Sequence, residues 1–199
     1  MARKVFFSFH YDDVDSFRAN VVRNHGFCKD IQEAGFWDKS IWESAQKTNE
    51  TALKRLINEA LEGTSVTCVL IGSQTCVRPW VRYEILKSIE RGNGVFGVHI
   101  NGIKDKNQCV KPQGPNPFKY LSINSPRTIL MNNRLEPKEW DGNKRVWVAF
   151  NKLPIMNYSG GRTFNGQLHQ YFDVYDWYSD RGYYSFGEWV EKAAKEAGR

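Results

Sequence analysis

Ser65-Val66-Thr67-Cys68-Val69-Leu70-Ile71-Gly72 is nearly continuous in apolar or β-branched residues and stops at a glycine. A strand of that composition is buried on both faces, as in a parallel sheet. The polar loop Ser73-Gln74-Thr75-Cys76 follows, then a helix from about Arg78 with Pro79 in its first turn, where a missing N–H costs nothing. Val81, Ile85 and Ile89 recur on one stripe with Leu86 beside it, and Arg91-Gly92-Asn93-Gly94 ends the helix. Val95-Phe96-Gly97-Val98-His99-Ile100 is the next strand. Strand, helix and strand in that order predict an α/β fold whose central sheet is mostly parallel and flanked by helices.

Working outward, Val5 to Phe9 reads as a short aromatic strand closed by His10-Tyr11-Asp12-Asp13. Asp12, Asp13 or Asp15 can cap a helix with Val14, Phe17, Val21 and Val22 inward; the same aspartates and His10 would also sit at a strand's carboxyl end, where open α/β sheets bind ligands. Residues 24–46 are irregular and aromatic-rich, a pattern suited to a loop beside a cleft. Asn49 caps an amphipathic helix with Ala52, Leu53, Leu56, Ile57, Ala60 and Leu61 on its stripe, ended by Gly63.

The C-terminal half is less regular. Loop signals fill residues 102–144, and Lys111-Pro112-Gln113-Gly114-Pro115-Asn116-Pro117 is incompatible with regular structure. Thr128 to Met131, Arg145 to Phe150 and Val174 to Trp177 read as short strands, and Ser185-Phe186-Gly187-Glu188 reads as a capping box opening the last helix. We read 1–199 as a single domain, with core βαβ units over 1–101 and a divergent half carrying loop insertions over 102–199.

The 199 residues carry a formal charge of +6, with 41% hydrophobic, 25% charged and 14% aromatic residues. These values describe a globular chain able to bury one core. Basic residues are interspersed with acids and form no run, so a nucleic-acid-binding module is disfavoured. Cys28, Cys68, Cys76 and Cys109 lie far apart, which argues against a zinc site or redox pair. No signal peptide or membrane-length apolar run is seen, and a cytoplasmic location is the simplest expectation.

Glu84 stands out, because helical spacing puts it one turn after Trp80 at the margin of the apolar stripe. One reading pairs it with Arg82 or Lys87, as on an ordinary surface helix. The other makes it a partly desolvated carboxylate with a chemical task. Cys76-Val77-Arg78-Pro79-Trp80-Val81-Arg82 also fits Cys-x5-Arg, the phosphate loop of cysteine phosphatases. However, it has no glycine, Pro79 removes a donor and Trp80 crowds the loop. Rossmann, Walker and nucleophile-elbow signatures are absent.

Trp80-Val81-Arg82-Tyr83-Glu84 resembles the Trp-Cys-x-x-Glu motif of TIR domains, with Val81 where cysteine is usual. Lys4-Val5-Phe6-Phe7-Ser8-Phe9-His10-Tyr11 resembles the first TIR strand. The chain resembles the TIR-like proteins of the bacterial Thoeris anti-phage system over most of its length, most strongly over residues 1–120. The resemblance implies a flavodoxin-like TIR fold with Glu84 catalytic, Phe6, Ser8, Phe9, His10 and Trp80 near substrate, and Trp37 and Asp38 as candidates in the loop. It implies NAD as substrate with no separate cofactor; the cysteine spacing, charge pattern and apolar runs above lead us to expect no metal, nucleic acid or membrane as partner. The product would be a cyclic ADP-ribose isomer that signals to an effector. A non-catalytic TIR adaptor acting through homotypic contacts, and so a homo-oligomer, is the alternative.

Overall fold

The computed structural model of the protein describes residues 3–11, 14, 16–24, 49–125, 134–158 and 160–199. Strand β1 (Val5–Ser8), β2 (Val66–Ile71), β3 (Gly94–His99) and β9 (Val174–Asp176) form one parallel sheet in the order β1-β2-β3-β9. Every residue of β2 is buried, as its continuous apolar sequence requires.

Helix α1 (Ser16–Arg23), α2 (Glu50–Ala60), α3 (Pro79–Glu90) and α4 (Gly182–Glu196) flank this sheet. Phe6, Val69 and Ile71 pack on one face with Leu53, Ile57 and Leu61 of the α2 segment and Val81, Ile85 and Leu86 of α3. Val5, Phe7, Cys68, Leu70 and Phe96 pack on the other with Val22 of α1 and Phe186, Trp189 and Val190 of α4. Side-chain alternation along β1 thus feeds two cores. Among the described residues, no helix is long and apolar enough to cross a membrane.

The divergent half holds more order than its loop signals predict. β4 (Leu121–Asn124), β5 (Arg134–Asp141), β6 (Val146–Ala149) and β8 (Asn165–Gln167) form an antiparallel sheet in the order β6-β5-β4-β8, and β7 (Met156–Asn157) pairs with β5. Its inner face supplies Leu121, Ile123, Leu135, Phe150 and Met156 to the core that α3 shares. Helix α3 therefore lies between two sheets. The single stripe predicted for it becomes burial nearly all round: Val81 to Leu86, Ser88 and Ile89 are all buried.

Three further expectations change. Phe17 is 43% exposed, while Arg18 beside it is 1% exposed, because its Nε donates to Ile103 O and its Nη2 to Cys109 O, each at 2.7 Å. The last helix begins at Gly182, so Ser185 is no cap; its N–H donates to Arg181 O at 3.1 Å as an ordinary helical bond. Packing sets that start: a Cβ on Gly182 would lie 2.5 Å from the Trp177 ring. Finally, Pro117 opens a short 3-10 turn, Pro117–Tyr120. The strand expected at 128–131 lies outside the described residues.

Candidate active site

The loop after β2 is held by Thr75, whose Oγ1 accepts from Gly72 N at 2.9 Å. A 3-10 turn, Thr75–Val77, leads to Arg78, whose extended backbone (φ −83°, ψ 113°) precedes Pro79 at the start of α3. Proline fits there because the first helical N–H has no intrahelical partner. This start fixes the phase of α3 and turns Glu84 toward the parallel sheet.

Glu84 is 4% exposed. Ser8, the last residue of β1, donates from Oγ to Glu84 Oε2 at 2.5 Å. Behind it Thr67 Oγ1 donates to Ser88 Oγ, which donates to Glu84 O, both at 2.7 Å. Side-chain hydroxyls on β1 and β2 thus bolt the carboxyl-bearing turn of α3 to the sheet. Burial pushes the Glu84 carboxyl up to about 8, and the Ser8 hydrogen bond pulls against that. At neutral pH the resting group is largely protonated.

Neither helical pairing expected for Glu84 exists. Lys87 pairs with Glu90, and Arg82 pairs with Glu139 of β5. Arg82 Nε also donates to Cys76 O at 2.9 Å. That arginine holds a carbonyl and a carboxylate, and Cys76 is buried, so the Cys-x5-Arg spacing does not form a phosphate loop.

The other predicted residues distribute unequally. Phe6 is buried in the core beneath α3. Phe9 lies on the opposite face of the sheet, its ring 4.9 Å edge-on from Tyr11, so the structure does not bring it to Glu84. His10 follows at the strand end, half-buried. Trp80 packs edge-on to Tyr83 at 5.7 Å, with Lys152 Nζ 4.2 Å from its ring centroid. Trp37, Asp38 and the aspartates 12, 13 and 15 lie outside the described residues.

The partly desolvated carboxylate expected from the sequence is in fact buried: Glu84 is at the carboxyl rim of the sheet, 4% exposed. A cavity of about 400 Å³, lined by Asn93, Gly94, Arg162, Phe164 and Phe172, lies at the opposite, amino end of β3. A second of about 370 Å³ is bounded by Glu50, Pro79, Glu139, Phe150 and Lys152. Glu84 lines neither. Among the described residues, no group of His, Cys, Asp and Glu could hold a metal ion.

This chain matches the family described as Thoeris protein ThsB, TIR-like domain, over residues 6–105. A relative in Bacillus cereus (strain MSX-D12), provisionally named cyclic ADP-D-ribose synthase ThsB1, is 50% identical over 196 residues, covering 96% of this chain and 100% of the relative. The chain belongs to the ThsB TIR-like family. The family match ends before β4, so the antiparallel sheet lies beyond it, whereas the B. cereus ThsB1 covers both halves. Sequence reasoning missed Thr67, Ser88, Glu139 and Lys152 as neighbours of the ThsB motif helix. No local signal marks them, because their partners are set by packing across the fold.

Proposed function

We propose that the protein cleaves NAD, releasing nicotinamide and closing the remaining ADP-ribosyl group into a cyclic isomer. The cyclic product would be a diffusible signal to a separate effector in the infected cell's cytoplasm. The observation that carries this reading is the Ser8–Glu84 contact at the carboxyl rim of a parallel sheet, in a chain half identical to a relative named for cyclic ADP-D-ribose synthesis.

The chemistry asks little of the protein. Nicotinamide leaves as a neutral base from a cationic ring, so no acid is needed to protonate it. The site must stabilise the positive charge that develops on the ribosyl carbon and hold the sugar in place. One carboxylate does both, provided that it is ionised. Glu84 is buried at rest, so binding of NAD must uncover it; the cationic nicotinamide ring, once beside it, favours the ionised form, and the Ser8 hydroxyl then donates to it. Excluding water lets a nucleophile in the adenosine half of the same molecule capture the cation at high effective concentration.

Purified protein incubated with NAD, with and without extract from infected cells, is expected to release nicotinamide, and mass spectrometry of the nucleotide product to show the cyclic mass. Glu84→Gln should raise the barrier by about 3 kcal/mol or more, a loss of over ~100-fold. Absence of nicotinamide under both conditions, or full activity in the glutamine variant, would favour the adaptor.

A further inference from the structure

We infer that the antiparallel sheet works as a clamp that positions the helix carrying Glu84, with Glu139 and Lys152 as its positioning residues. The inference rests on the catalytic reading of Glu84 for its activity readout, and on the geometry alone for its second readout.

The second sheet and the segment after it hold α3 through three ties. In the first turn, Lys152, just after β6, places Nζ 4.2 Å over the Trp80 ring and 2.9 Å from Glu50 Oε2 of α2. In the same turn, Glu139 of β5 pairs with Arg82, which is only 9% exposed. In the last turn, Glu90 Oε1 accepts from Asn157 N of β7 at 2.7 Å. One turn after Trp80 on the same helix, Ser8 holds Glu84 to β1. Helix α3 is thus fixed by a hydroxyl tether to the first sheet and by polar ties to the second.

Stability alone does not explain this arrangement. Part-exposed ion pairs contribute about 0–1 kcal/mol, and buried ones often break even against their own desolvation. What an arginine does well is fix orientation, since its planar guanidinium can hold two acceptors at set angles. Arg82 does so here with Cys76 O and Glu139. These ties border the cleft of about 370 Å³, so at this end of α3 polar contacts replace continuous apolar packing. Misplacement of a reacting group by about 1 Å can cost on the order of 100-fold, so orientation is what the sheet can supply.

The test uses the full chain in three variants: Glu139→Ala, Glu139→Gln, which keeps an acceptor for Arg82, and Lys152→Met, which keeps an apolar stem over Trp80. Glu139 and Lys152 are both part-exposed, and circular dichroism melts establish that each variant is folded. Steady-state NAD cleavage should show kcat lowered about tenfold in Glu139→Ala and Lys152→Met at little-changed KM, with most activity kept in Glu139→Gln. Carbon NMR of the Glu84 carboxyl should show its titration midpoint falling by about one pH unit in the two disruptive variants as water reaches it. An unmoved Glu84 midpoint in both variants overturns the clamp, whatever the activity. Unchanged kcat in both also overturns it. A wild-type protein that releases no nicotinamide sinks the catalytic reading instead, and the NMR titration then decides the clamp by itself.

Discussion

Burial sets how hard Glu84 is to ionise, and a single hydroxyl pulls against it. The Ser8 bond opposes the upward push of burial, so Ser8→Ala should hold the proton on Glu84 to higher pH. The rate of nicotinamide release at pH 7 is expected to fall several-fold, and the rising limb of its pH profile to move alkaline; a profile that stays in place would detach Ser8 from the acid's chemistry. The same group has a stability consequence. Its carboxyl sits at about 8 in the folded protein against the ordinary glutamate value of 4.5. The folded state therefore binds the proton more tightly, and the stability so gained is fully present below pH 4.5 and lost as pH rises through about 8. That span corresponds to on the order of 5 kcal/mol. Glu84→Gln removes this dependence. Urea melts at pH 5 and pH 9 should find the variant close to wild type at the lower pH and several kcal/mol more stable than wild type at the higher.

Among the elements, the strap 111–116 shows how an irregular segment can be tightly specified. A Cβ on Gly114 would lie 1.9 Å from Gly72 O, so the strap crosses the carboxyl end of β2 backbone to backbone. Gly114→Ala must push the strap off that end and should cost about 1–3 kcal/mol in denaturant unfolding. The prolines around it, which in the sequence signal only the absence of regular structure, limit the strap's alternatives in the unfolded chain. Strand β5 presents the converse case. Its Arg-Leu-Glu-Pro-Lys-Glu-Trp-Asp is largely charged and holds Pro137, features that argue against a strand. The proline is accommodated where β5 passes from pairing with β6 to pairing with β7, and Phe150 N donates to Pro137 O at 3.0 Å.

Across the whole molecule, the two sheets share one apolar core rather than meeting at a polar boundary. Phe118 is fully buried in that shared core, its ring tilted against Phe172. Phe118→Ala should cost about 3–5 kcal/mol. Because that core spans both halves, helical and fluorescence probes should report one coincident unfolding transition in wild type and variant alike; two separated transitions would show the halves to be independent.

The region from Ser65 to Ile100 was legible because its signals are local. A continuous apolar run, a proline at a helix start and a 3.6-residue stripe are each complete within a few neighbours, and they fixed the strand–helix–strand order and Glu84's place on its helix. What surrounds Glu84 was not legible, since its hydroxyl partner lies 76 residues away and Arg82's carboxylate 57. The chain's own order therefore determined a parallel core with an acid near its carboxyl rim. Only the folding of a second sheet onto α3 decided that the helix is enclosed, and so how its side chains pair and pack, because desolvation and pairing depend on what the rest of the chain brings alongside.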